Sequence, residues 1–233
     1  MVGRDREITF QVRAYLPEEA KAIIVPGQTL YQMLERIPLR ERRDLLIAWL
    51  AISIAFTLAI ILRRGSVDPI GFAFFFGISL FTVGAAFALH ELAHKFAAMH
   101  YGYWAEFKKD NQMLLIAVVM AALVQVVFAA PGATYIYGNA TRAENGRISA
   151  AGPLTNLVLC IPFVALVLLG SGELLHNVGL VGLRVNAMIA TFNMLPISIL
   201  DGRKVLAWNP VIFAVLIITS VGILFWSLSL PLT

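Results

Sequence analysis

Five consecutive residues, His90-Glu91-Leu92-Ala93-His94, concentrate the chemistry of the sequence. On an α-helix, residues four apart lie one turn apart on nearly the same face, so His90 and His94 can offer their imidazoles to one zinc ion. Glu91 projects beside them, where its carboxylate can take a proton from a water activated by the metal. Two satisfied histidines and a stray acid are the bland reading of the same residues. Their setting argues against it. Positions 69–89 just before them carry no charge, and ionisable side chains inside an apolar span are costly unless something compensates them.

Two imidazoles and a water leave a catalytic zinc site one protein ligand short. After His94 the remaining histidines are His100 and His176, and the acids are Glu106, Asp110, Glu144, Glu173 and Asp201. His100 lies six residues beyond His94, on a different face of the helix, and suits the membrane interface. His176 suits a segment boundary. Asp201 stands out because it follows a 27-residue apolar run, Leu174 to Leu200, whose one charge is Arg184. A carboxylate there suits zinc as a hard ligand; the plain alternative is a helix-end acid at the headgroups.

Three motifs occur in order: His90-Glu91-x-x-His94, Gly152-Pro153-x-x-Asn156, and Asn193-x-x-Pro196-x-x-x-Leu200-Asp201-Gly202. Together, in apolar surroundings, they resemble the site-2 protease family of intramembrane zinc metalloproteases, over roughly residues 70 to 205. The resemblance implies one Zn2+ held by His90, His94 and Asp201, with Glu91 as the catalytic base. It also implies that Asn156 and Asn193 support the substrate or the transition state, although either could equally be polar glue between helices. The implied partner is a transmembrane protein substrate, hydrolysed in the lipid bilayer as in regulated intramembrane proteolysis. No PDZ or CBS module is evident, so the likeness is to the compact prokaryotic members.

The elements that must position these residues are written in the composition. Of 233 residues, 59% are hydrophobic and 14% charged, where a soluble domain carries roughly 25% charged residues. A water-exposed globule and a disordered chain are excluded. The net charge of +4 is scattered, with no basic stripe that would track nucleic acid. The single cysteine, Cys160, excludes an internal disulfide and a Cys-rich zinc framework. Six apolar runs, at 45–62, 69–89, 113–130, 152–172, 174–200 and 205–233, approach or exceed the roughly 20 residues that cross a bilayer. Residues 1–44, holding eight of the 18 Lys/Arg and seven of the 14 Asp/Glu, read as a cytoplasmic polar tail. A short strand is expected near 8–13 and a short amphipathic helix within 17–36, and no cleavable leader is expected.

A shared metal restricts the topology. His90 lies toward the far end of the segment that opens at Pro69, and Asp201 ends another. For both to reach one ion at about 2 Å, the two segments must run in the same direction. A full crossing by 113–130 would put their exits on opposite faces, so this segment is expected to enter and return. Lys/Arg placement agrees, because cytoplasmic loops favour these residues. Six crossings give seven inside against six outside; a re-entrant segment gives eleven against two, with Arg63 and Arg64 outside. Pro131-Gly132 breaks the run, and 133–137 has strand composition, whose free edge could capture an unwound substrate segment.

The expected fold is therefore an all-α integral membrane protein: a polytopic helix bundle with five full crossings plus a re-entrant segment near 113–137 with short strand content. The membrane-embedded domain spans 45–233, with segments near 45–62, 69–101, 113–130, 152–172, 174–200 and 205–230. It belongs in the cell membrane as a multi-pass protein, with the tail and the site opening on the cytoplasmic side. The rival readings are a membrane zinc or metal transporter, which would repeat acidic or histidine sites along a path, and a non-catalytic client-binding homologue, which would have lost Glu91.

Overall fold

A computed structural model describes residues 37–65, 68–125, 127, 132–197 and 200–231. The strand expected near 8–13 and the helix within 17–36 lie outside these residues. The element order is α1 (Leu39–Arg64), α2 (Pro69–His100), β1 (Trp104–Lys109), α3 (Asn111–Val124), β2 (Gly132–Tyr137), α4 (Arg142–Leu169), α5 (Glu173–Asn193), α6 (Asp201–Trp208) and α7 (Pro210–Ser229). Five helices, α1, α2, α4, α5 and α7, are long and apolar enough to cross a membrane. The protein is a helical, multi-pass membrane protein with one small sheet among the described residues.

The re-entrant expectation has a direct counterpart. Helix α3 has 14 residues, about 21 Å at 1.5 Å per residue, which is short of the hydrocarbon core. Strands β1 and β2 then pair antiparallel, with Lys109 opposite Gly132 and Trp104 opposite Tyr137. The chain between Lys109 and Gly132 therefore leaves and returns to one place. Strand β1 was not expected from the sequence. Its position is fixed by a fully buried ion pair: Lys95 Nζ lies 2.6 Å from Glu41 Oε2 and also donates to the Ala105 carbonyl at 2.7 Å. Glu41 Oε1 in turn accepts from the Phe107 amide at 3.1 Å. One pair thus ties α1, α2 and β1 together, and burying it without those backbone bonds would be unfavourable.

Helix ends follow local chemistry. Asp68 caps α2, accepting from Gly71 N at 2.7 Å, with Pro69 in the first turn. Helix α4 begins at Arg142, ten residues before the apolar run, because Thr141 and Glu144 form a capping box. Tyr103, just before β1, donates to Glu144 Oε2 at 2.9 Å; burial and this carboxylate push its phenol up to about 12. The last apolar segment is split, because Asn209 ends α6 and caps α7, with Pro210 at its first position.

Packing brings α2, α4 and α5 close. On α5, a Cβ at Gly179 would stand 2.9 Å from Leu166 Cβ, and one at Gly182 would overlap the Phe163 ring. These small residues let two helix backbones approach where lipid supplies no hydrophobic drive. Ala48, Ile52, Phe75, Ile78, Phe87 and Val181 form the core between α1, α2 and α5. Arg184, the lone charge of its run, donates to the Ser227 and Leu230 carbonyls at 3.0 and 2.5 Å. Those carbonyls lie at the end of α7, where no amide stands one full turn on; Ser227 O also accepts from the Leu230 amide at 3.3 Å.

Candidate metal centre

His90 and His94 point from the same face of α2 with their Nε2 atoms 3.0 Å apart. Asp201, the first residue of α6, places Oδ2 3.0 Å from His94 Nε2 and 3.6 Å from His90 Nε2. All three residues are buried, and their ligand atoms lie within 4.8 Å of one another. Among the described residues, no other group of three His, Cys, Asp or Glu has this form. Asp201 gets there because Gly202 has no side chain: a Cβ at Gly202 would overlap the Met194 carbonyl and stand 2.7 Å from Leu195 O. The start of α6 can therefore lie against the turn that ends α5.

Hydrogen bonds fix which imidazole nitrogen faces the centre. Asn186 Nδ2 donates to the Gly182 carbonyl at 2.8 Å, so its Oδ1 is left to accept. It accepts from Asn156 Nδ2 at 3.0 Å, and that same nitrogen donates to the Ala86 carbonyl at 2.9 Å. Both donors of Asn156 are thus used, and its Oδ1 faces His90 Nδ1 at 2.5 Å. His90 must carry its proton on Nδ1. His94 Nδ1 lies 2.8 Å from the Ile148 carbonyl, so it too must donate. In its neutral form each ring turns Nε2 toward Asp201, so two imidazole nitrogens and a carboxylate oxygen converge on one point. That donor set fits a cation such as Zn2+, which prefers imidazole and carboxylate ligands whose outer nitrogens are held this way.

The backbone of α4 closes the centre from one side. A Cβ at Gly152 would overlap His94 Nε2 and lie 2.7 Å from His90 Nε2. On another side is a cavity of about 90 Å³. His90, Glu91 and Asn193 line it together with apolar residues that include Phe56, Met188 and Phe192. Glu91 is 9% exposed, and Thr134 Oγ1 on β2 donates to its Oε2 at 2.8 Å.

A protein of Methanocaldococcus jannaschii named "putative zinc metalloprotease" is 40% identical to this chain over 197 residues. The match spans 82% of this chain and 98% of that relative. The chain belongs to this zinc metalloprotease family. No protein-family profile matches it, and no solved structure does. The relationship and the helix pattern together give a metalloprotease-family protein with membrane-crossing helices and a possible metal site at His90, His94 and Asp201.

Within this family member, the four residues singled out for chemistry, His90, Glu91, His94 and Asp201, meet in one buried place. Asn193 joins them at the cavity, its Nδ2 donating to Ile189 O one turn back. Asn156 instead lies behind His90, with its amide committed to His90, Ala86 and Asn186. His100 is exposed at the end of α2, and His176 is half-buried near the start of α5, its ring Nε2 3.2 Å from Pro231 O. Three contributors escaped sequence reading. Asn186 gave a usable signal, a polar residue amid the apolar run of α5 that demands a partner. Thr134 and the Ile148 carbonyl gave none, because their contacts with α2 are long-range.

Proposed function

We propose that the protein is an intramembrane zinc metalloprotease of the site-2 type, hydrolysing peptide bonds of transmembrane substrate helices. The observation that carries this reading is the convergence of three metal-facing lone pairs beside a buried glutamate inside an apolar helix bundle. His90, His94 and Asp201 would hold one zinc ion and leave a position open, as catalytic rather than structural zinc sites do. When bound there, zinc supplies a Lewis acid that activates water and polarises the scissile carbonyl. Glu91 takes the proton of the attacking water and returns it to the leaving amide nitrogen. The Asn156–Asn186 relay and the Ile148 carbonyl keep both rings in the metal-binding tautomer. Asn193, on the cavity wall, faces the substrate.

Orientation follows from charge. The ends of α1, α2, α4 and α6, with strand β1, carry Arg40, Arg42, Arg43, Lys95, Lys108, Lys109, Arg142, Arg147, Arg203 and Lys204 and belong on the cytoplasmic side. Water reaches the centre from there. A substrate helix hides its carbonyls in its own hydrogen bonds and must unwind before it is cut. Among the described residues β2 pairs with β1 alone, and its other edge offers an unwound segment a backbone to pair with.

A single comparison tests the proposal. Purified protein loaded with one zinc equivalent should cut a transmembrane test substrate, and Glu91→Gln should hold the same zinc without cutting. Cutting by Glu91→Gln removes the assigned base, and zinc flux without cutting favours transport.

A further inference from the structure

Thr134 is the residue through which the re-entrant sheet touches the chemistry. It sits at the middle of β2 opposite Phe107 of β1. The Phe107 amide is in turn held by Glu41, which the buried Lys95 pairs. The sheet is thus pinned in register on the outer side, and on the inner side its one hydroxyl donates 2.8 Å to Glu91 Oε2. Gly132, two residues earlier, lines the same cavity as Glu91. A Cβ at Gly132 would lie 2.6 Å from Phe107 Cζ and 2.8 Å from Lys109 Cα, so the strand cannot slide there without a clash.

We infer that Thr134 is a positioning residue: by donating to Oε2 its hydroxyl fixes the rotamer of the Glu91 carboxylate that takes the proton. This rests on the proposed role of Glu91. Nothing in β-strand chemistry requires a hydroxyl at this position, since valine has the same shape and an equal preference for strands. A carboxylate on a flexible two-carbon stem does require an anchor, because general-base catalysis needs the oxygen within hydrogen-bond reach of the proton. Here the anchor comes from the element whose free edge lies beside the cavity. A substrate strand docking on β2 would meet a base already locked to that strand.

The test compares Thr134→Val and Thr134→Ser with the unaltered full-length protein in detergent micelles, each loaded with zinc. Thr134→Val is expected to lower kcat by about 10- to 100-fold, the scale of one charge-assisted hydrogen bond. KM and zinc affinity by chelator competition should stay unchanged, and Thr134→Ser should restore most of the rate. A second readout needs no cutting. In metal-free protein, Thr134→Val should lower the melting temperature in the native background and leave it unchanged when Glu91→Leu is already present. A Thr134→Val rate equal to the native one, a loss that serine does not restore, a loss that tracks missing zinc, or additive melting shifts would each overturn the inference. Failure of the native protein to cut would instead strike the proposed function, and the melting cycle would still decide on Thr134.

Discussion

The most exposed consequence of the geometry concerns a residue that never touches the metal. Asn156→Leu keeps the branching and heavy-atom count of the side chain and removes three hydrogen bonds, to His90 Nδ1, Ala86 O and Asn186 Oδ1. The Ala86 carbonyl still has the helix bond of the residue one turn on. His90 Nδ1–H and Asn186 Oδ1 are left buried without partners, at about 1–3 kcal/mol each, so stability should fall by about 2–6 kcal/mol. The His90 proton is also freed to move to Nε2, where it blocks the metal-facing lone pair. Loss of such an outer partner typically lowers metal affinity 10- to 100-fold, about 1.4–2.7 kcal/mol. Asn186→Leu should act in the same direction but less strongly, because it frees the Asn156 amide to turn over while leaving the amide in place. The assay is competition for zinc against a chelator of known affinity, on protein that keeps its helical circular dichroism and elutes as a single species. A folded Asn156→Leu variant that binds zinc within twofold of the native protein would refute the tautomer argument.

Other perturbations probe separate parts of the account. Gly152→Ala inserts a methyl group where His90 and His94 Nε2 already lie; it should abolish stoichiometric zinc binding by atomic emission while the helical content stays native. Glu41→Ala strands Lys95 in a fully buried site, and loss of one partner of a buried pair costs about 3–5 kcal/mol. Thermal unfolding should show that loss, and the double change Glu41→Leu with Lys95→Met should recover much of it; a double variant no better than the single one would contradict the reading. In a Cys160→Ala background, Lys109→Cys and Asn139→Cys should react with an impermeant thiol reagent from the same side of sealed vesicles. Labelling from opposite sides would mean that the segment between them crosses.

The parts of this molecule that physics writes locally could be read from the sequence. His90, Glu91 and His94 share one helix turn, so their joint chemistry needs no tertiary knowledge. The bilayer demands long uncharged runs, so the five helices long enough to cross it were legible, and the parity of the exits together with the Lys/Arg bias marked the third run, 113–130, as re-entrant. Asp201 was legible only through its motif, since nothing in spacing ties a residue to a partner more than 100 positions away. Boundaries were less readable. An apolar run marks the membrane rather than the helix, so α4 continues back through charged turns to the Thr141–Glu144 capping box. A single helix from Leu174 to Leu200 was likewise not to be had: α5 stops at Asn193, and Asp201 opens a new helix instead of closing the old one. Strand β1 reads as a polar loop, Glu106-Phe107-Lys108-Lys109, because its pairing with β2 and its clamp by Glu41 are both distant in sequence. The same distance hid the contact of Asn156 with His90, though not the residue, and hid Thr134 beside Glu91.

The claim on which the rest depends is that two imidazoles of α2 and the Asp201 carboxylate bind one ion together. Zinc-edge X-ray absorption on the purified, zinc-loaded protein measures that shell directly. The account predicts two imidazole nitrogens and a carboxylate oxygen at about 2.0–2.2 Å, with the spectrum losing one imidazole in His94→Ala and the carboxylate in Asp201→Ala. A shell that keeps its composition in both variants would place the metal elsewhere and contradict the account.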